Sequence, residues 1–517
     1  MSGAGKASRH FDVAVVGGGS AGAAVAARMV TAGASVCLIE AGPDYGPLGA
    51  GRWPADLLDP RILPTSHDWD VHGEITTSRA RVLGGCSAHN GCWCVRPTPL
   101  DVAEWLAGSG GDWTPAEVGA AVARAEAVLA PQRVRADVLT PVARAALAGA
   151  DRLGVAMLGD VNDATAIDGV GLPPVNIHES VRWNSAFAYL DGLRGLPGLT
   201  IEADLPVDRL LFTGARATGV LGHRHGVPVT VAADRVVLTA GAYGTPAALL
   251  RSGVGPADEL ARHGIPPVQI LPGVGANLAD HVGSGLTFAA SDDLIAATGA
   301  FAADQDFFPS QVLWKARSPH CDPGGWDEFI LPIPQYDPAR PGRAAYHVQV
   351  QAFCMTPRSR GRVRLRSRDP QTPAEIDPRF LTDPEGHDLA VILDGLERAR
   401  ELAATPELAK LLAAELLPGA DATDRDELVE HVEATVRGYW HPTGTAAMLP
   451  DADPMSVTGP DGLVRGLDNV HVADASVIPV SPRGNTNLPV VAVAEVIAAR
   501  LAGAATAVRE PSLGLAA

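Results

Sequence analysis

Apolar residues first gather at residues 11–16, a short valine-rich run of the kind that forms a parallel strand buried on both faces. Residues 17–22 interrupt it as a glycine loop. Residues 23–32 read as a helix, alanine-rich with Arg28 as its one charge, and Gly33 is placed to end it. Residues 35–39 form a second buried strand with Glu40 at its carboxyl end. The chain then turns irregular, rich in Pro, Gly and Trp to about Arg79, before a glycine-rich block RVLGGCSAHNGCWCVR at 81–96.

Helical spacing returns at 114–129 and 141–153. A strand is expected over 199–211, small antiparallel strands around Val220 and over 227–231, and a separate apolar strand over 235–238. The stretch from about 282 to 454 differs. It alternates apolar and polar positions at 346–353, carries many prolines, and has helical spacing at 387–402, which predicts an antiparallel sheet with helices. Residues 469–479 read as a buried strand running into GNTNLPVVAVAEVIAARLAG, a loop that opens a helix. There Asn487 is placed to cap and Pro489 suits the first turn.

The chain has 517 residues, past the size at which one core stops growing, so two joined domains are expected. The net charge of −18 repels nucleic acid and anionic membrane. The arginines of 357–370 alternate with small or apolar residues and read as one solvated face of a strand. Each apolar run is broken by charge, Pro or Gly, so no membrane span is predicted. No secretory pattern opens the chain and six cysteines make no disulfide framework, so a reducing cytoplasm is expected. Cys86, Cys92 and Cys94 lack zinc-site spacing, and no metal site is indicated. His471 reads as a core residue, and His223 and His225 as part of an exposed hairpin.

Gly17, Gly19 and Gly22 form G-x-G-x-x-G between a strand and a helix. The first glycine permits a tight turn, the second a close approach to a pyrophosphate, and the third close packing of helix on strand. The pyrophosphate would sit on free N–H groups at the helix start. Glu40, about 20 residues on, can accept from a ribose diol and would repel a 2′-phosphate, which disfavours NADP. The fingerprint does not separate FAD from NAD.

Other segments make that separation. DVAVVGGGSAG…IEAGP, RVLGGCSAHNG, TAGAYGTPAALLRSGVGP, PGVGANLADH, WHPTGTAAM and VADASVIPVSPRGNTNLPVVAVAE occur in this order, and together they resemble the glucose–methanol–choline (GMC) oxidoreductase family. The resemblance implies an α/β fold: a Rossmann-like FAD-binding domain assembled from 9–155, 196–284 and 455–512. A substrate-binding domain from 156–195 and 285–454 would be built on an antiparallel sheet with helices. It implies FAD contacts from Gly17, Gly19, Ser20, Ala21, Gly22, Glu40, Ala41, Arg81, Gly84, Gly85, Ser87, His89, Asn90 and Gly91. Further along the chain it implies Val207, Ala240, Gly241, Asp474, Ala475, Asn487 and Pro489.

The resemblance also places His441 and Asn485 on the substrate side of the flavin. Oxidising CH–OH removes a proton from oxygen and a hydride from carbon, the hydride going to flavin N5. An imidazole near neutrality can take the proton and an amide can hold the oxygen, which assigns His441 and Asn485. The N-terminus of the helix after Asn485 would stabilise negative charge on reduced flavin. His89 stands where choline-oxidase-type members carry a histidine bonded to the flavin 8α carbon. It is the expected covalent attachment point, the alternative being a histidine packed on the dimethylbenzene edge.

The expected activity is oxidation of a small-molecule alcohol to an aldehyde or ketone, with O2 as acceptor. Alternatives are a dehydrogenase using another acceptor or a non-redox hydroxynitrile lyase, in a monomer or homodimer. A quaternary ammonium substrate would need an aromatic cage, for which Trp314, Trp326, Phe329 and Tyr336 are available.

Overall fold

The computed structural model describes residues 9–69, 78–304, 310–336 and 345–509. The chain before residue 9 and residues 510–512 of the first predicted domain lie outside the described residues.

The valine-rich run becomes the strand His10–Val16, interior to a seven-stranded sheet. Parallel neighbours on both sides, Val36–Ile39 and Val227–Leu238, account for its apolar composition. Across the sheet the order is Leu199–Glu202, Val36–Ile39, His10–Val16, Val227–Leu238, Arg216–Arg224 and Val207–Thr213, with Val470–Val472 also paired to Val227–Leu238.

Three sequence expectations change here. Residues 199–211 are two strands on opposite edges of the sheet, separated by Asp204 at a φ of 52°. Residues 227–231 and 235–238 are one strand. Its first half pairs antiparallel with Arg216–Arg224 and its second half parallel with His10–Val16 and Val470–Val472. The predicted strand 469–479 shrinks to Val470–Val472. The Asp474 side chain then accepts the Ser476 N–H and starts a short 3-10 turn, Ala475–Val477.

The first helix spans Ser20–Thr31, beginning inside the glycine loop, and its alanines let it lie close to the C-terminal helix Asn487–Arg509. Glu495 on that helix is fully buried. Arg28 (2.7 Å), Arg124 of helix Pro115–Leu129 (3.2 Å) and the Tyr189 hydroxyl (3.0 Å) all bind it. An unpaired carboxylate there would cost several kcal/mol, so these partners fix three elements about one charge.

In the second sheet Val282–Ala290, Tyr346–Cys354, Glu328–Tyr336 and Leu313–Ala316 lie antiparallel in that order, as the middle of the chain predicts. The alternation at 346–353 has a physical reading. Val348, Val350 and Ala352 face a core shared with helix His387–Ala404, while Phe353 faces a smaller cluster with Trp93, Trp326, Phe329 and Tyr439. Burying each of these two valine side chains contributes about 1.5–3 kcal/mol. Helix Pro141–Arg152, placed by sequence in the first domain, packs into this second core.

The arginines of 357–370 do not form one solvated face. Arg360 donates to Asn277 Oδ1, Arg358 pairs with Glu385, and Arg362 pairs with Asp377 across the ladder Arg362–Arg364 with Glu375–Asp377. His471 is buried, and His225 sits at an exposed hairpin tip with a φ of 50°.

Candidate active site

Backbone packing shapes the glycine turn. Gly17 has a φ of 105°, and a Cβ there would lie 2.5 Å from the Thr239 carbonyl oxygen. At Gly22 a Cβ would lie 1.8 Å from the Gly17 oxygen, so helix and strand meet at a spacing no side chain permits. Gly19 differs: a Cβ there would meet only Gly85 Cα, at 3.7 Å, which leaves the turn open above it. Glu40 is buried and its two oxygens accept the Gly18 and Gly42 N–H groups, each at 2.8 Å. Burial pushes its carboxyl up to about 7 against those bonds. Each oxygen keeps a second lone pair for a ribose hydroxyl.

The glycine-rich block lies directly on this turn. Gly84 donates to the Gly18 oxygen at 2.8 Å, and a Cβ on Gly85 would lie 2.6 Å from Gly19 Cα. Both glycines adopt positive φ, 97° and 52°. Ser87 stitches the block to itself, donating to the Gly84 oxygen and accepting the Ser185 N–H. Asn90 Oδ1 accepts the Cys92 N–H, Gly91 is exposed, and Arg81 donates to the Ala41 carbonyl at 3.1 Å. His89 has 9% of its side chain exposed, with Nδ1 3.6 Å from Asp68 Oδ1. Burial works against its protonation, but Asp68 and Cys86 outweigh that and raise its pKa. Burial likewise opposes the Cys86 thiolate, but the Arg79 guanidinium prevails and brings the thiol down to about 6.

Two helix starts, far apart in sequence, converge at the turn. Ala21 is buried in the first turn of one, and Ser20 Oγ donates to Asn487 Oδ1 of the other at 2.8 Å. The predicted cap shifts by one residue: the Thr486 carbonyl accepts the Val490 N–H, and Asn487 is the first helical residue, its side chain spent on Ser20. Pro489 lies in that first turn. Val207 is half-buried at the start of its strand, while Ala240 caps helix Gly241–Arg251. The Asp474 carboxylate accepts from Gly241 N, Thr245 Oγ1, Ser476 N and Ser476 Oγ. Those four bonds fill its lone pairs, so its side chain holds the loop rather than a ligand. The Ala475 carbonyl accepts the Gly444 N–H at 3.2 Å.

His441 and Asn485 are together: Asn485 Nδ2 lies 3.3 Å from His441 Nε2. The other ring nitrogen, Nδ1, lies 2.8 Å from His281 Nδ1, and His281 Nε2 lies 2.8 Å from the Pro482 carbonyl oxygen. A carbonyl only accepts, so His281 carries its proton on Nε2 and accepts on Nδ1. His441 must then donate from Nδ1, which leaves the Nε2 lone pair facing Asn485. Burial lowers the His281 pKa to about 4, and burial, His281 and Arg79 hold His441 well below the usual range. Both rings are therefore neutral at pH 7. Asp280 Oδ1 accepts the His441 N–H at 2.8 Å, and the Tyr439 ring packs 4.5 Å from the His441 ring.

Sequence reasoning missed His281, Tyr439, Arg79 and Phe353, the last stacked 4.2 Å from Tyr439. The segment ending NLADH signals its own family resemblance, but nothing in its letters says its histidine will meet His441. The four aromatic residues available for a cage do not all converge. Trp326 stacks on Phe329 at 4.9 Å, but Trp314 belongs to the other core and Tyr336 is exposed against Tyr346.

The residues present fit a dinucleotide of flavin type. An open glycine turn faces two helix starts, and Asn487 Nδ2 and Asn485 Oδ1 are buried polar atoms with no partner.

Two family profiles, both described as GMC oxidoreductase, match residues 11–283 and 357–494. The chain is 34% identical to choline oxidase of Arthrobacter globiformis, over 94% of this chain and 93% of that one. It is 30% identical to an alcohol dehydrogenase [acceptor] of Pseudomonas putida, over 94% of each. The crystal structure of pyridoxine 4-oxidase from Mesorbium loti superposes with a TM-score of 0.81 at 28% identity, over 95% of this chain and 98% of that one.

Proposed function

Because the chain belongs to the GMC oxidoreductase family, FAD-binding enzymes acting on alcohol-like donors, we propose that it oxidises a small uncharged alcohol with dioxygen as acceptor. The observation that carries this reading is the bonded series Pro482 oxygen, His281, His441, Asn485, which leaves one imidazole nitrogen neutral and unprotonated. Bound FAD supplies the acceptor for the hydride, at N5. His441 Nε2 takes the hydroxyl proton, and the His281 ring, accepting from His441 Nδ1, keeps Nε2 as the nitrogen free to take it. The Asn485 amide, already aimed at Nε2, steadies the alcohol oxygen beside it. The turn at residues 17–22, Glu40 and the block at 84–91 would hold the dinucleotide, the free N–H groups of the two helix starts facing its negative charge.

An uncharged substrate suits the local charge. Arg79 is the cation acting on His441, and the carboxylate at hand, Asp280, is occupied by the His441 N–H and pushed up to about 7 by burial. Trp326 already faces Lys315, whose Nζ lies 5.9 Å from its ring, which disfavours an ammonium there. His89 is the attachment point we assign to FAD: it lies in the glycine-rich block that packs on the turn, its side chain 9% exposed and its Nδ1 3.6 Å from Asp68 Oδ1.

Anaerobic mixing with a series of alcohols should bleach the flavin absorption, and repeating it in air should yield peroxide. Bleaching without peroxide replaces the oxidase reading with a dehydrogenase, and no bleaching with any alcohol sinks the redox reading. Denatured protein should weigh one FAD more than the bare chain; a mass equal to the polypeptide removes the His89 bond.

A further inference from the structure

The carbonyl that sets the tautomer of His281 belongs to the same peptide unit as the N–H of Arg483. That N–H donates to Asp101 Oδ1 at 3.1 Å, while the Pro482 oxygen accepts from His281 Nε2 at 2.8 Å. A peptide unit is planar, so holding its N–H on one partner aims its C=O in the opposite direction. Asp101 is itself fixed. It is the acid of a capping box at the start of helix Pro99–Gly108, its Oδ2 accepting the Thr98 N–H at 2.6 Å. Oδ1 also accepts Arg483 Nη1 at 2.7 Å, and Arg483 Nη2 reaches Glu104 one turn along at 3.2 Å. Asp101 is fully buried and Arg483 is 3% exposed. The same helix holds the segment a second time, through Trp105 Nε1 to the Val480 oxygen.

We propose that Asp101 and Arg483 are positioning residues that hold the Pro482–Arg483 peptide plane and thereby fix the tautomers of His281 and, through it, His441. The consequence for reactivity rests on His441 being the base. If the plane turns, His281 loses its carbonyl acceptor and has no reason to keep its proton on Nε2. It can then offer an N–H to His441, whose own proton moves to Nε2, where the alcohol must deliver its proton. A buried ion pair is weak evidence for stability alone, since apolar residues of similar volume often replace one without loss. Here the backbone N–H bond, not the charge pair, carries the function.

The test uses holoenzyme carrying [15N]histidine, the two rings being assigned with His281 and His441 replacements. Unaltered enzyme should show His281 protonated on Nε2 and His441 on Nδ1. The double variant Asp101→Ala/Arg483→Met removes the anchor and leaves no unpaired guanidinium. It should show mixed tautomers. The limiting rate of flavin reduction, by the fastest member of a series from ethanol to benzyl alcohol, should fall about 10²-fold with the alcohol dissociation constant unchanged. Arg483→Lys, which keeps the backbone bond, should restore both tautomers and most of the rate. If the double variant does not fold, Asp101→Leu/Arg483→Met, which likewise leaves the Arg483 N–H without an acceptor but fills more of the volume, is read in the same way. Unchanged tautomers with a rate within about threefold of the unaltered enzyme overturn the proposal, and so does loss of FAD or thermal stability with the tautomers intact. If no alcohol reduces even the unaltered enzyme, the redox reading fails, while the nitrogen spectra still decide whether the peptide plane sets the tautomers.

Discussion

At the glycine turn, backbone meets backbone: Gly22 leaves 1.8 Å where a Cβ would face the Gly17 oxygen, and Gly85 leaves 2.6 Å to Gly19. At the histidine pair, side chains from distant segments meet through single hydrogen bonds, His281 to His441 and His441 to Asn485. The first region fails by steric exclusion, with nothing able to relax. The second fails by losing direction while its volume survives. Substitutions at the turn should therefore remove the cofactor, and substitutions at the pair should leave the cofactor and remove the chemistry.

The largest effect expected is at Gly22. Gly22→Ala forces helix Ser20–Thr31 off the strand His10–Val16, and overpacking of this kind costs about 1–3 kcal/mol or more. Purified Gly22→Ala should be colourless. Gly19→Ala sharpens the contrast, because its Cβ meets no protein atom closer than 3.7 Å. The bare fold should tolerate it, with a melting temperature near that of the unaltered chain, while FAD uptake falls because the methyl group occupies the open side of the turn. Equal FAD uptake by Gly19→Ala and the unaltered protein would show that this face of the turn does not meet the ligand.

This contrast explains what the sequence makes legible. The glycines, the short valine run and Glu40 all lie within one strand–turn–helix–strand unit, where spacing alone sets geometry. Asn487 already escapes that logic: its letters suit a cap, but Ser20, brought near only by the packed helices, claims its side chain. Strand lengths at 199–211 and 227–238 were set by which neighbours pair, and local pattern does not encode that. His281 and Asp101 are further out of reach. His281 acts through its bond to the Pro482 oxygen and Asp101 through its bonds to Arg483, and an isolated histidine or a capping aspartate looks the same with or without them.

Next in size is His441→Ala. With His441 as the proposed base, its removal should lower the rate of flavin reduction about 10²–10⁴-fold. FAD content should stay as before, because no bond from His441 reaches the glycine turn. Stopped-flow reduction alongside flavin absorbance after gel filtration separates the two effects. A colourless His441→Ala protein would collapse the division between a cofactor-holding and a proton-moving region.

The smallest effect, and the one that discriminates most finely, is the position of the acid limb in the pH profile. His441 is held below its ordinary value of 6.5 by burial first, then by His281 and Arg79, so its base form persists as pH falls through 6.5. In the unaltered enzyme kcat/KM should therefore stay level from pH 8 to 6.5 and fall only at lower pH, as protonation removes the lone pair on Nε2. His281→Ala takes away one neighbour that opposes protonation and opens space for water, and both changes move the His441 pKa upward. Its acid limb should shift towards 6.5, and its plateau should drop about tenfold from loss of the Nδ1 acceptor, within the range expected of an orienting group. A limb that stays in place while the plateau drops would mean that His281 orients His441 without contributing to its electrostatics. The Pro482 carbonyl would then act on direction alone.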